Sequence, residues 1–151
     1  MKRNWMAFCL AAALMTAGTV YAKPAPSQLV PEKHGQCYVE DNLFVKDVNG
    51  AGGGQGVLHG DFAFRREQAL KTDAIKEIGW MTLKPGSYIG SHTHKDNEDA
   101  YLIISGKGIF TDGNGHAWVV GAGDMTIARP GQTHGLANLG KEDLVFLDMH
   151  C

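Results

Sequence analysis

His92 and His94 stand two residues apart, and carboxylates follow at Glu98 and Asp99. On an extended strand, residues i and i+2 share a face, so two imidazoles at this spacing can aim at one point. If the chain doubles back through Lys95-Asp96-Asn97, Glu98 or Asp99 comes alongside them. Two imidazoles and a carboxylate on one side of a divalent ion leave other coordination positions open. A third imidazole is available from His134, in Arg129-Pro130-Gly131-Gln132-Thr133-His134.

The residues around these histidines form two spaced sets. Gly86, His92, His94, a carboxylate and Gly106 make up one; Gly123, Gly131, His134 and Asn138 make up the other. In type, spacing and order the two sets resemble the motifs of the cupin superfamily, over about Ile78 to Asp148. The sequence departs from the pattern twice. The usual Glu slot, separated from Gly106 by six residues, holds Asp99, with Glu98 just ahead of it. The usual Pro slot holds Arg129, and the proline is displaced to Pro130. The resemblance implies an all-β fold, a cupin-type double-stranded β-helix or jelly-roll barrel, with His92, His94 and His134 as metal ligands.

The carboxylate ligand is left between two residues. Spacing to Gly106 selects Asp99, because the period of two along a strand sets which residue faces in. Side-chain length favours Glu98, and a bulge at Asn97–Asp99 would reverse the choice. Imidazole and carboxylate donors suit Mn, Fe, Ni or Zn, and affinity order does not choose among them.

Two further residues are candidates for contact with a ligand. Arg129 lies five residues before His134, at a loop that in cupins borders the cavity mouth; it either binds an anionic substrate or is a plain surface residue. Tyr101 shares a face with Asp99 and Ile103 by alternation, so it can reach the same interior. Tyr88, Trp80, Trp118 and Phe146 read as core or cavity wall. His116, on a hairpin tip, and His150, at the chain end, are expected to face solvent, and His59 is a lone strand histidine. There is no nucleophile elbow and no Cys-x-x-Cys, which removes serine-hydrolase and thioredoxin-like readings.

The elements that must position these groups are short strands separated by turn chemistry. Candidates are Leu43–Val45, Val57–Phe64, Ala74–Leu83, Tyr101–Ile104, Gly108–Thr111, His116–Val120, Met125–Ala128, His134–Asn138 and Leu144–Leu147. Asp112-Gly-Asn-Gly115 is a hairpin signal. Arg65–Lys71 is built of helix formers and predicts a helical turn or two. The run Asn49-Gly-Ala-Gly-Gly-Gly-Gln-Gly56 lacks the Gly-Lys-Ser/Thr of a phosphate loop and predicts a flexible turn. Strands at this spacing, with glycine at most breaks, indicate a sandwich or barrel.

The chain has 151 residues, with 14 Lys and Arg, 16 Asp and Glu, and three cysteines. Residues 1–22 have the layout of a secretory signal peptide: Lys2 and Arg3, an apolar run, then Val20-Tyr21-Ala22. The run is shorter than the roughly 20 residues of a spanning helix. Residues 23–36, with Pro24, Pro26 and Pro31, predict a flexible lead-in, and 37–151 a single domain. Loss of Lys2 and Arg3 leaves a net charge near −4 and no basic cluster, which argues against nucleic acid and anionic membranes as partners. The expected location is periplasmic or secreted. There Cys37 and Cys151, near the two ends of the domain, can form a disulfide; an intermolecular bridge or two free thiols are the rivals.

Two functions follow. One is an enzyme, in which a metal centre of three histidines and one carboxylate acts on a small polar acid or sugar. For that, the cupin resemblance implies oxygenase, decarboxylase or isomerase chemistry. The other is a non-catalytic small-molecule binding module with a structural metal. A homodimer is compatible with both.

Overall fold

The computed structural model describes Tyr38, Glu40 and residues 43–151. Among these residues ten strands follow one another: β1 (Phe44–Asn49), β2 (Val57–Phe64), β3 (Glu77–Leu83), β4 (Tyr88–Thr93), β5 (Asp99–Ser105), β6 (Lys107–Asp112), β7 (Ala117–Gly121), β8 (Met125–Ala128), β9 (Thr133–Ala137) and β10 (Leu144–His150). They form two antiparallel sheets. One has six strands in the order β1-β2-β3-β10-β5-β8; the other has four, β4-β9-β6-β7. This is the all-β sandwich or barrel that the strand spacing indicates, in the jelly-roll form that the resemblance implies.

The alternation of side chains decides what lies inside. Along β5, Asp99, Tyr101 and Ile103 are buried; along β10, Leu144, Phe146, Asp148 and His150 are buried. The apolar members join Phe62, Met81, Leu83, Ile89, Phe110, Val120 and Leu136 in one core. Burying a side chain of this size contributes roughly 1.5–3 kcal/mol. The core fills one part of the interior, and the polar members of the same strands are brought together in another.

Turns between the strands use glycine where the backbone demands it. Gly106, at the β5–β6 turn, has φ 80°, and a Cβ there would stand 2.9 Å from the Leu144 Cα. L-residues rarely adopt that backbone, and the close approach of β10 removes the remaining room. Asn138 is fully buried and acts as a clamp. Its Nδ2 donates to the carbonyls of Leu83 (2.7 Å) and Glu142 (2.8 Å), and its Oδ1 accepts from the Gly140 amide (2.9 Å).

Several sequence expectations are corrected. Arg65–Lys71 is not helical: Gln68 N bonds Arg65 O and Ala69 N bonds Arg66 O, which makes consecutive turns. Leu70 and Asp73 then close another turn rather than extend a helix. β3 begins at Glu77, not Ala74, and β10 continues past Leu147 to His150. Trp80 and Tyr88 are exposed; Trp118 is also exposed but lines a space that reaches His134, and Phe146 and Tyr101 are buried. The glycine run is not a loose turn. Residues 51–53 form a short 3-10 turn laid on β4, with Gln55 and Tyr88 exchanging backbone hydrogen bonds at 2.9 and 3.1 Å. Cys37 lies outside the described residues, so its pairing with Cys151 does too.

Candidate metal centre

The two sheets meet at one cluster. His92 and His134 are directly opposed across β4 and β9, and His94 follows β4 immediately. Asp99 comes from the other sheet, as the first residue of β5. A register irregularity in β4 between Ile89 and His92 re-aims that strand where the histidines begin. The ladder through Asp99 is regular, so the period of two runs through it without a bulge.

The imidazole Nε2 atoms form a near-equilateral triangle: His92–His94 3.2 Å, His92–His134 3.2 Å and His94–His134 3.0 Å. Asp99 Oδ2 stands 3.3 Å from both His94 Nε2 and His134 Nε2. Two of the outward ring nitrogens are already assigned. His92 Nδ1 donates to the Gly90 carbonyl at 2.9 Å, and His94 Nδ1 to Asn97 Oδ1 at 3.4 Å. A proton on Nδ1 leaves the Nε2 of the neutral ring with a lone pair. Lone pairs facing one another and a carboxylate at this range repel, and a cation among them reverses the sign. Ligands about 2.1 Å from an ion and at right angles are about 3.0 Å apart, which these separations match. The residues therefore fit a divalent metal, which His92, His94, His134 and Asp99 would hold.

The electrostatics agree with that fit. Burial pushes the His92 and His94 imidazoles below their ordinary value, towards the neutral form a metal needs; the Gly90 carbonyl opposes this for His92 and Asp99 for His94. Burial would raise the Asp99 carboxyl, but hydrogen bonding to His134 and Asp148 and the nearby imidazoles hold it below the usual carboxylate range. Asp148 goes the other way, raised by burial and by the charge on Asp99. Among the described residues, Asp99 Oδ1 and Asp148 Oδ1 are both buried without a partner. A proton on Asp148, donated to Asp99, satisfies both.

Glu98 is outside the cluster. It is half-exposed and faces Arg129, Nε to Oε1 3.6 Å. Arg129 is 59% exposed and pairs there at the surface, away from the wall of the interior cavity. Tyr101 is inside: its ring stacks on His134 at 5.0 Å and 23°, and packs on Phe146 at 4.8 Å. His59 lies apart, on β2, against Asp47 and Asp61. His116 is exposed on its hairpin, bonded to Asp112. His150 is corrected outright. It is buried, opposite Asp99 in the β5–β10 ladder, with Nε2 3.5 Å from Asp99 Oδ1.

A cavity of about 190 Å³ adjoins the cluster, lined by His92, Asp99, Tyr101, Asp148 and His150. Lys46, Arg65 and Arg66 also line it, and none of the three is singled out by motif spacing. Arg65 and Arg66 directly follow the last residue of β2, so the inward and outward alternation of that strand carries them to the barrel end. A second space of about 410 Å³ also reaches His134; among the described residues its wall carries Asp112 and no lysine or arginine.

The known proteins similar to this chain point the same way. The family described as "Cupin domain" matches residues 79–150. An oxalate-binding protein of Thermotoga maritima is 40% identical over 67 residues, covering 44% of this chain and 54% of that protein. A gentisate 1,2-dioxygenase of Ralstonia sp is 28% identical over 82 residues, covering 54% of this chain and 23% of the enzyme. The chain thus spans about half of the first of these relatives and a quarter of the second. Among solved structures, a predicted oxalate decarboxylase from Thermotoga maritima superposes with a TM-score of 0.68 at 27% identity, over 76% of this chain and 97% of that one. A double-stranded β-helix protein from Klebsiella pneumoniae gives 0.57 at 28%, over 78% and 90%.

Proposed function

The chain belongs to the cupin superfamily, and from that premise we propose that it binds a small carboxylate, of the oxalate class, at a metal ion held by His92, His94, His134 and Asp99. One observation carries the reading: three Nε2 atoms converge within 3.2 Å of one another beside a carboxylate oxygen. When bound, a divalent ion supplies a Lewis-acid centre for the ligand's oxygens. The chain's own residues do the rest. Gly90 and Asn97 hold the His92 and His94 tautomers, Tyr101 covers His134, and Lys46, Arg65 and Arg66 stand in the cavity wall beside Glu77, Asp99 and Asp148. At about 190 Å³ the cavity is smaller than the ~300–1,000 Å³ of drug-sized ligand sites, which favours a very small acid. The names of the oxalate-related proteins support the same class.

The test is titration calorimetry of oxalate into metal-loaded and metal-stripped protein. Saturable binding only with metal is expected. Equal binding without metal, or none with it, would discard the reading.

A second reading, turnover, is favoured by Asp148. This group lines the cavity, and burial and the charge on Asp99 raise its carboxyl towards the protonated form. Loss of CO₂ from a bound dicarboxylate leaves an electron pair on carbon that needs one proton, and Asp148 can return it. Formate appearing from oxalate in the metal-loaded protein, and abolished in Asp148→Asn, separates this from simple binding.

We further propose export and self-association. The signal-like residues 1–22 support export, which intact-mass measurement of the secreted protein tests. The outer face of the six-stranded sheet carries an uncharged cross-strand row, Trp80–Leu147–Leu102–Met125, with Met125 77% exposed. Apolar surface of this kind supports a homodimer. Sedimentation of wild type against Trp80→Glu decides.

A further inference from the structure

Behind the four residues of the metal centre lies a further buried imidazole, His150, and its neighbours specify where its proton sits. The backbone pins it from both sides. Its carbonyl accepts from the Lys76 amide at 2.7 Å, and the next amide, of Cys151, donates to the Glu98 carbonyl at 3.0 Å. Glu77 and Asp148 stand close to the ring, a set that by type could hold a second ion. A cation is already there: the Arg66 guanidinium lies against His150, with Nη2 3.0 Å from Nε2 and nearer still to Nδ1.

A second donor reaches the same nitrogen. Asn97 Nδ2 is 3.2 Å from His150 Nδ1, and Asn97 Oδ1 is 3.4 Å from His94 Nδ1. The amide has one orientation that serves both neighbours. His94 carries its proton on Nδ1 when Nε2 keeps a lone pair for the cluster, so the amide oxygen faces His94 and the amide nitrogen faces His150. A ring nitrogen that receives two N–H groups has no room for a proton of its own, and the His150 proton is therefore on Nε2. That nitrogen stands 3.5 Å from Asp99 Oδ1 and 3.5 Å from Asp148 Oδ1. These are the two carboxylate oxygens that are buried with no hydrogen-bond partner among the described residues. The gap is a few tenths of an ångström longer than a formed N–H···O bond, and a small turn of the ring closes it. A carboxylate oxygen has two lone pairs, so Asp99 Oδ1 takes this N–H as well as the Asp148 proton.

We propose that His150 is a positioning residue of the metal centre: as the Nε2–H tautomer, set by Asn97 and Arg66, it donates to Asp99 Oδ1 and keeps Asp99 Oδ2 turned to His94 and His134. The inference rests on the metal site proposed above and adds what that site leaves open, which is how its one carboxylate is held. Oδ2 is the oxygen 3.3 Å from both histidines, and a carboxylate fixed through Oδ1 cannot swing away from them without breaking the contact behind it. Asn97 is then shared between two ligands. Its oxygen sets the proton of His94 directly, and its nitrogen sets that of His150, through which it orients Asp99. His150 itself takes no part in holding the ion.

The experiment reads the tautomer and the ion separately. Nuclear magnetic resonance of metal-free wild type, isotope-labelled at histidine, should show the His150 proton on Nε2. A proton on Nδ1, or on both nitrogens at neutral pH, overturns the proposal. Cobalt(II) is then titrated into wild type, His150→Gln and His150→Leu in competition with a chelator, with circular dichroism checking each fold. Glutamine presents one oxygen and one N–H, as the tautomer does, and should hold cobalt within about threefold of wild type with the same absorption spectrum. Leucine fills the space without a donor. It should weaken cobalt binding at least about tenfold and change the spectrum, which responds to the ligand set. Equal losses in the two variants, or no loss in His150→Leu, overturn the proposal. Should His150→Leu not fold, Asn97→Ala takes its place: a mixed His150 tautomer with weaker cobalt binding is expected, and wild-type behaviour in both overturns the proposal. Wild type that takes up no cobalt discards the metal centre itself, whereas cobalt binding indifferent to His150 removes only this inference.

Discussion

Asp99 and His150 face each other across the β5–β10 ladder, and that pairing ties the metal cluster to the far end of the chain. Asp99 directs one oxygen to the histidines, with Oδ2 3.3 Å from His94 and His134, and turns the other towards His150 and Asp148. The carboxylate thus has two faces, one for the ion and one for the buried polar network behind it. Partners behind a ligand fix its orientation, and losing them commonly costs as much as weakening the ligand itself.

The first prediction separates Asp99 from its neighbour. Asp99→Asn removes the charge among three imidazoles and should strip most of the metal. Glu98→Gln loses only a surface pair with Arg129 at 3.6 Å and should retain it. Elemental analysis of the purified variants reads the result. Metal lost from Glu98→Gln and kept in Asp99→Asn would reverse the assignment.

The convergence of His92, His94, His134 and Asp99 was legible because these residues are local or fixed by spacing. His92 and His94 share a strand face, Gly106 counts back to Asp99, and Gly131 leads to His134. Strand alternation also placed Tyr101 inside. The same rule extended along β10 would have found more: with Leu144 and Phe146 inward, Asp148 and His150 must be inward too. The arginines carry no such signal. Arg66 and His150 are 84 residues apart, and only the pairing of β2, β3, β10 and β5 in one sheet brings them together. The glycine run was opaque for a related reason. Its low propensity for any element reads as looseness until the opposing strand is known.

That opposing strand supplies the second prediction. A Cβ on Gly52 would stand 2.7 Å from the Gly90 carbonyl oxygen and 3.0 Å from His92 Nδ1, on a backbone of φ 60°. Gly90 is also the residue whose carbonyl holds the His92 tautomer. Gly52→Ala should therefore destabilise the fold by ~1–3 kcal/mol and weaken metal retention with it. Urea denaturation and metal content check both. An unchanged midpoint would show that the turn is free to shift away from β4.

The third prediction concerns Cys151, half-buried at the end of β10 and bonded through its backbone to Glu98 at 3.0 Å. Its position beside the start of β5 holds the C-terminus in place. If Cys37 reaches it in an oxidising compartment, the closed loop should stabilise by ~4–5 kcal/mol. Non-reducing peptide mapping of secreted protein should recover the Cys37–Cys151 peptide pair. Two alkylated free thiols, or a pair formed only between chains, would dispose of it.

The last prediction is the pH dependence of the metal-free protein. Burial depresses His92, His94 and His150 below the ordinary 6.5, so between their folded values and 6.5 the unfolded chain binds more protons than the folded one. Stability then rises with pH through that window, is complete above about 6.5, and is lost as pH falls through it. Asp99, depressed from 3.8, adds a loss only in stronger acid. Asp148 opposes the histidines: its folded carboxyl stays protonated after the unfolded one ionises above 3.8, so its contribution declines as pH rises. By number of protons three imidazoles exceed one carboxyl, and Tm in chelator should climb as pH rises towards about 6.5. Asp148→Asn removes the opposing group and should steepen that climb. A bound ion competes with protons for the same nitrogens, so the metal-loaded protein should hold its Tm further down in pH until the ion is displaced. Scanning calorimetry across the range decides; a Tm that is flat or falls on approach to neutral pH in the stripped wild type would show that the imidazoles are not held neutral by burial.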